Sequence, residues 1–239
     1  MLVSTKAIVL SKLKYKDHDL IVKCYTEKFG VKTYLLKRIL KTKKGKFKPA
    51  YFQLLTILEL QAEHKDNRSL QYLKDIKLQY NYKTLHTNVV KIAIVMFLSE
   101  ILSNILKEEE ENLSLYNFIE TSLIWFDENE TNTIFHLLFL IKLTKYLGFY
   151  PDTNIRETNF FNLEEGRFQQ NKTNLYCISG NNLVFLKELL GIKFDVYNNL
   201  DINSNQKREL LDMILLYFKL HLDGFETPKS RTVLNQVFN

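Results

Sequence analysis

The hydrophobic pattern of this chain changes its period near residue 80, and this change limits the folds that are open to it. From Thr5 to about Tyr80, apolar and polar residues alternate with a period of two, which is typical of β-strands with one buried face. From Tyr82 onward, apolar residues recur every three or four positions, as they do in amphipathic helices. We therefore predict an α+β protein with two domains, residues 1–80 and residues 81–239.

The first domain is predicted to be a small antiparallel β-barrel. Five strand patterns lie at residues 5–12, 20–27, 31–35, 52–63 and 70–80. The connections early in the domain are too short for a helical crossover, so consecutive strands are expected to pair antiparallel. A five-stranded barrel of the OB type fits this count, and such barrels often bind oligonucleotides. An SH3-like barrel has a similar number of strands and stays open as an alternative.

The second domain is predicted to be α-helical with a short irregular or β insertion. Helical patterns lie at residues 89–105, 114–126, 133–147, 183–190, 204–222 and 230–238. Ser114 and Ser204 are the expected N-caps of two of these helices, and Gly148 is expected to end the third. The insertion covers about residues 152–180, and we predict a hairpin within it at Phe168–Ile178.

Positive charge is concentrated in the first domain. Residues 1–80 hold 18 Lys and Arg against 7 Asp and Glu, a net charge of +11, whereas residues 81–239 carry a net charge of −5. The run Leu36–Pro49 contains seven cations and no acidic residue. Cations this dense repel one another, and a polyanion that releases its counterions on binding would compensate. A solvated Lys-rich loop is the alternative interpretation of this run.

Aromatic residues lie among these cations, which favours a nucleic-acid ligand. Cations follow a phosphate backbone and aromatic rings stack on unpaired bases, so the mixture predicts a single-strand binder without sequence preference. Core packing is the alternative for each tyrosine. The candidate DNA-binding residues are Lys12, Lys14, Tyr15, Lys16, Lys32, Tyr34, Lys37, Arg38, Lys41, Lys43, Lys44, Lys46 and Lys48.

Signals for catalysis are poor, and the chain is predicted not to be an enzyme. The triplet Asp17-His18-Asp19 joins two predicted strands and is interpreted as a turn. No glycine-rich phosphate loop is present, and Cys24 and Cys177 have no metal-ligand spacing, so neither a cofactor nor a metal is predicted. A hydrolase with an unrecognised site is the least favoured hypothesis.

The chain is expected to be cytoplasmic. Its N-terminus lacks the pattern of a signal peptide. Its longest apolar runs are shorter than the ~18–20 residues that a membrane-spanning helix needs. Two isolated cysteines fit a reducing compartment, and no membrane contact is predicted.

Three stretches, in this order along the chain, carry a resemblance to a known family. The first covers residues 5–30: a strand that begins Thr5-Lys-Ala-Ile, an aromatic followed by an acidic pair in Tyr15-Lys-Asp-His-Asp, and the turn Glu27-Lys-Phe-Gly. The second is Leu147-Gly-Phe-Tyr-Pro-Asp, at the end of an apolar helix. The third runs from Tyr217 to Leu234 and includes Lys229-Ser-Arg. Together they resemble the RecO family of bacterial recombinational-repair proteins.

This resemblance implies a function that periodicity and charge do not give. The family's barrel binds single- and double-stranded DNA, and its members anneal complementary strands. They act with RecR to load the recombinase RecA on DNA coated by the single-strand-binding protein, whose acidic C-terminal tail contacts the helical domain. Candidates for that contact, chosen by position, are Lys142, Lys145, Lys229 and Arg231. The electrostatic pattern does not distinguish DNA from RNA, so an RNA- or ribosome-binding OB-fold protein is the alternative.

One departure from the family pattern concerns a metal. Many members carry a four-cysteine zinc site just after the Leu-Gly-X-X-Pro segment, but Asp152–Arg167 contains no cysteine in this chain. A structural zinc is not supportable with one nearby thiol. The sequence therefore resembles a metal-free branch of the family, in which the insertion is expected to close by apolar packing.

Overall fold

The region of period two folds as a five-stranded antiparallel sheet in the computed structural model, which describes residues 1–41, 47–65, 67–107, 110–130, 133–152, 158–192 and 202–238. The strands are β1 (Leu2–Tyr15), β2 (Asp19–Thr26), β3 (Gly30–Leu36), β4 (Ile57–Glu63) and β5 (Tyr72–Leu78). They lie side by side in the order β3-β2-β1-β4-β5, and every neighbouring pair is antiparallel. Helices follow the sheet along the chain, so the predicted α+β class and the five strands are confirmed.

The sheet does not close into the predicted barrel, because its edge strands β3 and β5 do not form a ladder. They meet at an isolated parallel bridge between Tyr34 and Gln71. At this bridge the Leu35 N–H donates to the Gln71 carbonyl oxygen at 3.0 Å, and the Gln71 N–H donates to the Thr33 carbonyl oxygen at 2.8 Å. Gln71 directly precedes β5, so the two edges touch at one point and the sheet is OB-like but open.

One face of the sheet packs into an apolar core. Cys24 is 1% exposed within it, and burial raises the pKa of its thiol, so this residue acts as a small apolar side chain. The buried residues of the core include Val3, Ala7, Val9, Leu20, Val22, Tyr34, Leu36, Leu58, Leu60 and Ala62.

The fourth strand is shorter than the alternation predicts. A 3₁₀-helix occupies Pro49–Phe52, and β4 begins at Ile57. Leu55 lies between them with a φ of +59°, in the left-handed region that extended chain does not use. Its side chain is fully buried, so the apolar residues before Ile57 enter the core from a turn. The alternation of apolar and polar residues before Ile57 therefore comes from burial of side chains in a segment that does not pair as a strand.

Two helices belong to the same compact unit as the sheet, which covers Met1–Thr131. They are α1 (Val89–Ile105) and α2 (Leu113–Glu128). The Asn112 side chain accepts a hydrogen bond from the Leu115 N–H at 3.0 Å, so Asn112 caps α2 in place of the predicted Ser114. From β2, the Lys23 ammonium donates to the carbonyl oxygens of Ser103 and Leu106 and so caps the C-terminal end of α1.

A buried polar network joins the segment after β5 to the end of α2. The Asp127 carboxylate accepts hydrogen bonds from the N–H groups of Lys83, Thr84 and Leu85 at 2.8–2.9 Å. The Lys91 ammonium, on a side chain 1% exposed, donates to the carbonyl oxygens of Phe126, Asp127 and Asn129. Burial acts to raise the pKa of the Asp127 carboxyl, but the backbone donors outweigh it and the pKa is lowered.

The second compact unit covers Asn132–Asn239 and is mainly helical. Its elements are α3 (Phe135–Tyr146), β6 (Phe160–Asn162), β7 (Arg167–Gln169), β8 (Cys177–Ile178), α4 (Gly180–Gly191), α5 (Ser204–His221) and α6 (Arg231–Val237). The cap of α5 is Asn203 in place of the predicted Ser204: its side chain accepts from the Gln206 N–H in a capping box. No helix in the described part of the chain is both long enough and apolar enough to cross a membrane.

The insertion forms a small sheet that differs from the predicted hairpin. Strands β7 and β8 lie on opposite sides of β6, in the order β7-β6-β8, and both pair with it antiparallel. The predicted hairpin over Phe168–Ile178 is therefore wrong, because its two arms pair with a strand that precedes them in sequence. That strand, β6, has three residues, which is too short for a clear periodic signal.

Aromatic packing and one hydrogen bond hold this small sheet to α5, and a second hydrogen bond joins α5 to the segment after α3. Phe161 is 1% exposed, and its ring lies 4.8 Å from that of Phe168 and 5.9 Å from that of Tyr217. The Tyr217 hydroxyl donates to the Phe149 carbonyl oxygen at 2.6 Å, and His221 Nε2 lies 2.8 Å from the Leu163 carbonyl oxygen. Among the residues that the structure describes, no cluster of His, Cys, Asp or Glu could hold a metal ion.

Replacing the Asp127 carboxylate tests the buried polar network at the end of α2. We expect Asp127→Asn to lower the free energy of unfolding by about 3 kcal/mol at neutral pH, because the amide nitrogen that replaces one carboxylate oxygen cannot accept the hydrogen bonds of that oxygen, and the negative charge that faces the backbone donors is lost. The folded-state pKa of Asp127 is lowered, so this stabilisation is present above the unfolded-state pKa of about 4 and is lost as the pH falls through the folded-state value.

The measurement is urea unfolding of Asp127→Asn and wild type at several pH values. The gap between the two proteins should narrow with acidification. Glu128→Gln is the matched control, because it removes a neighbouring, exposed carboxylate and should change stability by less than about 0.5 kcal/mol. Equal losses in the two variants would contradict the assignment.

A glycine in the insertion gives a second test. Gly166 has a φ of +67°, and a Cβ added there would lie 2.9 Å from the Tyr217 hydroxyl oxygen. We expect Gly166→Ala to cost about 1–3 kcal/mol more than Gly224→Ala, since Gly224 has a φ of +69° but open space around its Cα. Thermal unfolding of both variants separates the clash from the backbone strain that they share, and equal losses would argue against close packing at Tyr217.

Candidate nucleic-acid interface

The C-terminal half of β1 carries the first group of predicted contacts. Strand β4 pairs with Leu2–Ile8, whereas the partners of residues 11–15 all lie on β2. A register shift between Val9 and Ser11 marks this change. The end of β1 is therefore an edge of the sheet, paired with β2 and no longer with β4, while the start of β2 also pairs with β3. We call residues 11–19, the end of β1 and its turn into β2, the arm. Here the side chains of Lys12, Lys14 and Lys16 are exposed.

An aromatic ring lies beside these cations. Tyr15 is 39% exposed, and the Lys16 ammonium lies 5.4 Å from its ring centroid. Lys12 and Lys14 project from one face of the strand, and Tyr15 projects from the other with the exposed Leu13. Lys16 has a φ of +50° and begins the turn into β2. The arm thus offers cations on one side and at its tip, with an accessible ring beside them.

Two hydrogen bonds tie the turn after β3 to this arm. The Arg38 N–H donates to Asp19 Oδ1 at 2.7 Å, and the Leu40 N–H donates to the His18 carbonyl oxygen at 3.0 Å. Arg38 has a φ of +55°, so the chain reverses sharply at this point. The Asp17-His18-Asp19 turn is therefore a structural junction. It places Lys37, Arg38 and Lys41 at the same end of the sheet as Lys14 and Lys16.

Seven predicted cations are exposed: Lys12, Lys14, Lys16, Lys37, Arg38, Lys41 and Lys48. We call the first six, which lie on β1, its turn into β2 and the turn after β3, the basic surface. Within the described residues, none of their side chains forms an ion pair with a carboxylate. Their mutual repulsion is offset by solvent, by salt and by the Asp17 and Asp19 carboxylates of the same turn, and a bound polyanion would reduce it further. The predicted contacts Lys43, Lys44 and Lys46 lie outside the described residues.

Tyr34 does not belong to the basic surface, and its predicted contact with a base is wrong. Its ring is fully buried in the core of the sheet, and its hydroxyl oxygen lies 3.0 Å from His64 Nε2. Burial raises the pKa of that hydroxyl. Tyr34 lies on the inner face of β3, where an unpaired base cannot reach it. Lys32 is half-buried, and it pairs in register with Cys24. It lies four residues before Leu36, so it is about 13 Å from the end of β3 that faces the arm.

Sequence reasoning missed Arg68 and Tyr72. The Lys37 ammonium lies 5.4 Å from the Tyr72 ring centroid, and the Arg68 guanidinium carbon lies 5.5 Å from the same centroid. Arg68 is exposed and Tyr72 is half-buried. The polar turn that contains Arg68 could be recognised from the sequence. Its proximity to Lys37 could not, because it depends on the bridge between β3 and Gln71.

The four candidates for a protein contact lie in the second unit and differ in accessibility. Lys142 is half-buried and its ammonium donates to the Leu190 carbonyl oxygen at 3.3 Å; burial, then nearby Lys145, lowers its pKa. Arg231 donates to Asp212 Oδ2 at 2.6 Å, which neutralises much of its charge. Lys145 and Lys229 are exposed. These two therefore present the most accessible charge of the four.

A shallow pocket lies elsewhere in the second unit, at the start of α5. It is lined by His136, Ser204, Lys207, Arg208, Leu211, Asn235 and Phe238. His136 stacks on Phe238 at 5.4 Å, and burial, with nearby Lys207, lowers the pKa of His136 to about 3. His136 is therefore neutral at physiological pH and acts as a packing residue.

A basic OB-like sheet with a cluster of exposed cations and an accessible ring defines a class of polyanion-binding modules. Comparison with known proteins narrows this class. The family model described as Recombination protein O N terminal matches residues 1–82, and the one described as Recombination protein O C terminal matches residues 86–231. The chain therefore belongs to the RecO family, and the resemblance seen in its sequence is confirmed.

Relatives match over their full length. A DNA repair protein RecO from Christiangramia forsetii is 47% identical over 238 residues, covering 100% of both chains. Proteins of the same name from Flavobacterium psychrophilum and Bacteroides fragilis are 40% and 30% identical, again over 100% of both chains. The basic surface lies entirely within the segment that matches the N-terminal model.

Removing the Asp19 carboxylate, which accepts the Arg38 N–H hydrogen bond, should weaken the junction between the two turns of the basic surface. We expect Asp19→Ala to lower the free energy of unfolding by about 1 kcal/mol and to speed amide exchange at Arg38, because its N–H loses its acceptor. Asp17→Ala removes a second, exposed carboxylate from the same turn and is the control. Hydrogen exchange followed by NMR measures both variants, and protection of Arg38 that survives Asp19→Ala would disprove the junction.

Proposed function

We propose that this chain is a non-catalytic DNA-binding protein of DNA repair and homologous recombination that holds the DNA backbone on the basic surface. The observation that carries this proposal is the junction between Asp19 and Arg38, which gathers exposed cations from two separate turns at one end of the sheet. The names of the relatives, which are DNA repair proteins, support the same conclusion.

The proposed binding mode is contact with phosphates and no reading of base sequence. Exposed lysines on turns give affinity through release of counterions and carry no base specificity. Tyr15 adds an exposed ring on which an unpaired base can stack. Both single- and double-stranded DNA satisfy the phosphate contacts, and only single strands satisfy the stacking contact.

We also propose that the protein anneals complementary strands, and the same electrostatics supports this. Two complementary strands repel each other through their phosphates, and a cluster of cations that contacts both lowers this repulsion. We further propose that the protein acts with RecR to load RecA on DNA coated by the single-strand-binding protein. The acidic tail of that protein would meet the second unit, where Lys145 and Lys229 are the exposed candidates and Lys142 and Arg231 the partly compensated ones.

A charge-reversal experiment tests the basic surface. We expect Lys14→Glu combined with Lys16→Glu to weaken binding of a fluorescent single-stranded oligonucleotide by about tenfold or more. The slope of log K against log salt should fall by about 1.4, since about 0.7 is lost for each phosphate contact to a single strand. Fluorescence anisotropy over a salt series gives both quantities, and a strand-annealing assay should show a parallel loss.

The matched control is Lys77→Glu combined with Lys83→Glu. These lysines are exposed in the same unit and give the same change in net charge. Lys77 lies far from the tested pair: it pairs in register with Glu59 on β4, and Glu59 pairs with Lys6 on β1. Lys6 is eight residues from Lys14 along β1. Equal weakening by the two pairs would show an effect of net charge and disprove the surface. Tighter binding of a structured RNA than of DNA would favour the RNA-binding alternative.

A further inference from the structure

The second cluster of cations lies where β3 meets the turn before β5. Lys37 precedes Tyr72 by 35 positions in the chain, and Arg68 precedes it by four. The charged groups of both lie near the Tyr72 ring, at 5.4 and 5.5 Å from its centroid. The two charges are therefore at most about 11 Å apart, because both distances start from one point. Two cations held this closely cannot neutralise each other, and each keeps its attraction for an anion.

A buried glutamine fixes this arrangement. Gln71 is 4% exposed, and its side-chain nitrogen donates to the carbonyl oxygens of Lys65 and Arg68 at 3.0 and 2.6 Å. Its side-chain oxygen accepts from the Lys65 N–H at 2.9 Å. The same residue forms the backbone bridge to Thr33 and Leu35 of β3. Gln71 thus holds the turn of Arg68 against the strand that leads directly to Lys37.

The nearest carboxylate on this ladder is occupied by other lysines. Glu63 pairs in register with Tyr72, and its carboxylate lies 3.3 Å from the Lys74 ammonium and 3.5 Å from that of Lys65. Hydrogen bonding and charge from Lys74, with a smaller effect of Lys65, lower the pKa of Glu63. In the described part of the chain, the side chains of Lys37 and Arg68 form no ion pair. No described carboxylate therefore neutralises either charge.

We infer that Lys37 and Arg68, held on the Tyr72 ring, form a two-cation clamp for adjacent phosphates of a nucleic-acid backbone, with Tyr72 and Gln71 as positioning residues. This inference rests on the proposed function and extends its binding surface. Lys37 adjoins Arg38, which is bonded to the arm, so the clamp continues the basic surface from the β1–β2 turn to the β4–β5 turn. A backbone that passes the end of β3 would meet both.

The test compares two cations of one turn. We expect Arg68→Gln to weaken binding of single-stranded DNA severalfold and to reduce the salt slope by about 0.7, the loss of one phosphate contact. Lys65→Gln removes the same charge three residues away, from a side chain paired with Glu63, and should leave the slope unchanged. Equal effects of the two substitutions would overturn the clamp.

Tyr72 separates positioning from simple packing. Tyr72→Phe keeps the ring and should bind DNA as wild type does, whereas Tyr72→Leu keeps apolar bulk without a ring and should weaken binding about threefold. Once Tyr72→Leu is in place, Arg68→Gln should cost less than it does in wild type. Urea unfolding of each variant checks that the sheet remains folded. Additive losses, or equal binding by the Phe and Leu variants, would overturn the role of the ring.

The outcomes distinguish this inference from the function on which it rests. If Lys14→Glu with Lys16→Glu weakens binding and Arg68→Gln does not, the clamp is wrong and the proposed function stands. If wild type does not bind DNA, both are wrong. If both variants weaken binding and Lys65→Gln does not, the surface extends past the end of β3 to the β4–β5 turn as inferred.

Discussion

The architecture of the first unit depends on one long strand that has two neighbours for half its length and one for the rest. β1 runs for 14 residues, but β4 pairs with it only as far as Ile8. The register shift after Val9 turns the remaining residues away with β2. Because the arm that results lacks one neighbour, its lysines are exposed. The hydrogen bonds from Arg38 and Leu40 then bring the next turn to the arm, so the basic surface follows from strand pairing.

Local periodicity predicted the strands well and their closure poorly. Alternation located five strands because each has one face in the core, and it failed at Leu55, where burial occurs on a left-handed residue. The order of strands in the insertion depends on which short segment pairs with β6, and no local signal carries that information. The sheet stays open because its edges meet at one bridge, between Tyr34 and Gln71, and no local pattern indicates how far the edges pair.

The basic surface was predictable in composition but not in detail. Exposed lysines were recognised because their density costs stability that a partner must offset. Tyr34 was selected because it lies among cations in the sequence, but its ring is buried in the core of the sheet. Arg68 and Tyr72 were missed for the opposite reason: they are ordinary residues of a polar turn and a strand, and they acquire meaning only through the bridge that brings them beside Lys37.

In two turns of the basic surface, a cationic residue occupies a backbone conformation that is unfavourable for it. Lys16 and Arg38 both adopt a positive φ, a region where glycine is at ease and a β-carbon costs about 1 kcal/mol. A glycine at either position would relax the backbone but remove a charge from the end of the sheet. Stability and polyanion affinity therefore pull in opposite directions at these two positions. Engineering the fold for thermal resistance there would erode the very surface that the two turns display.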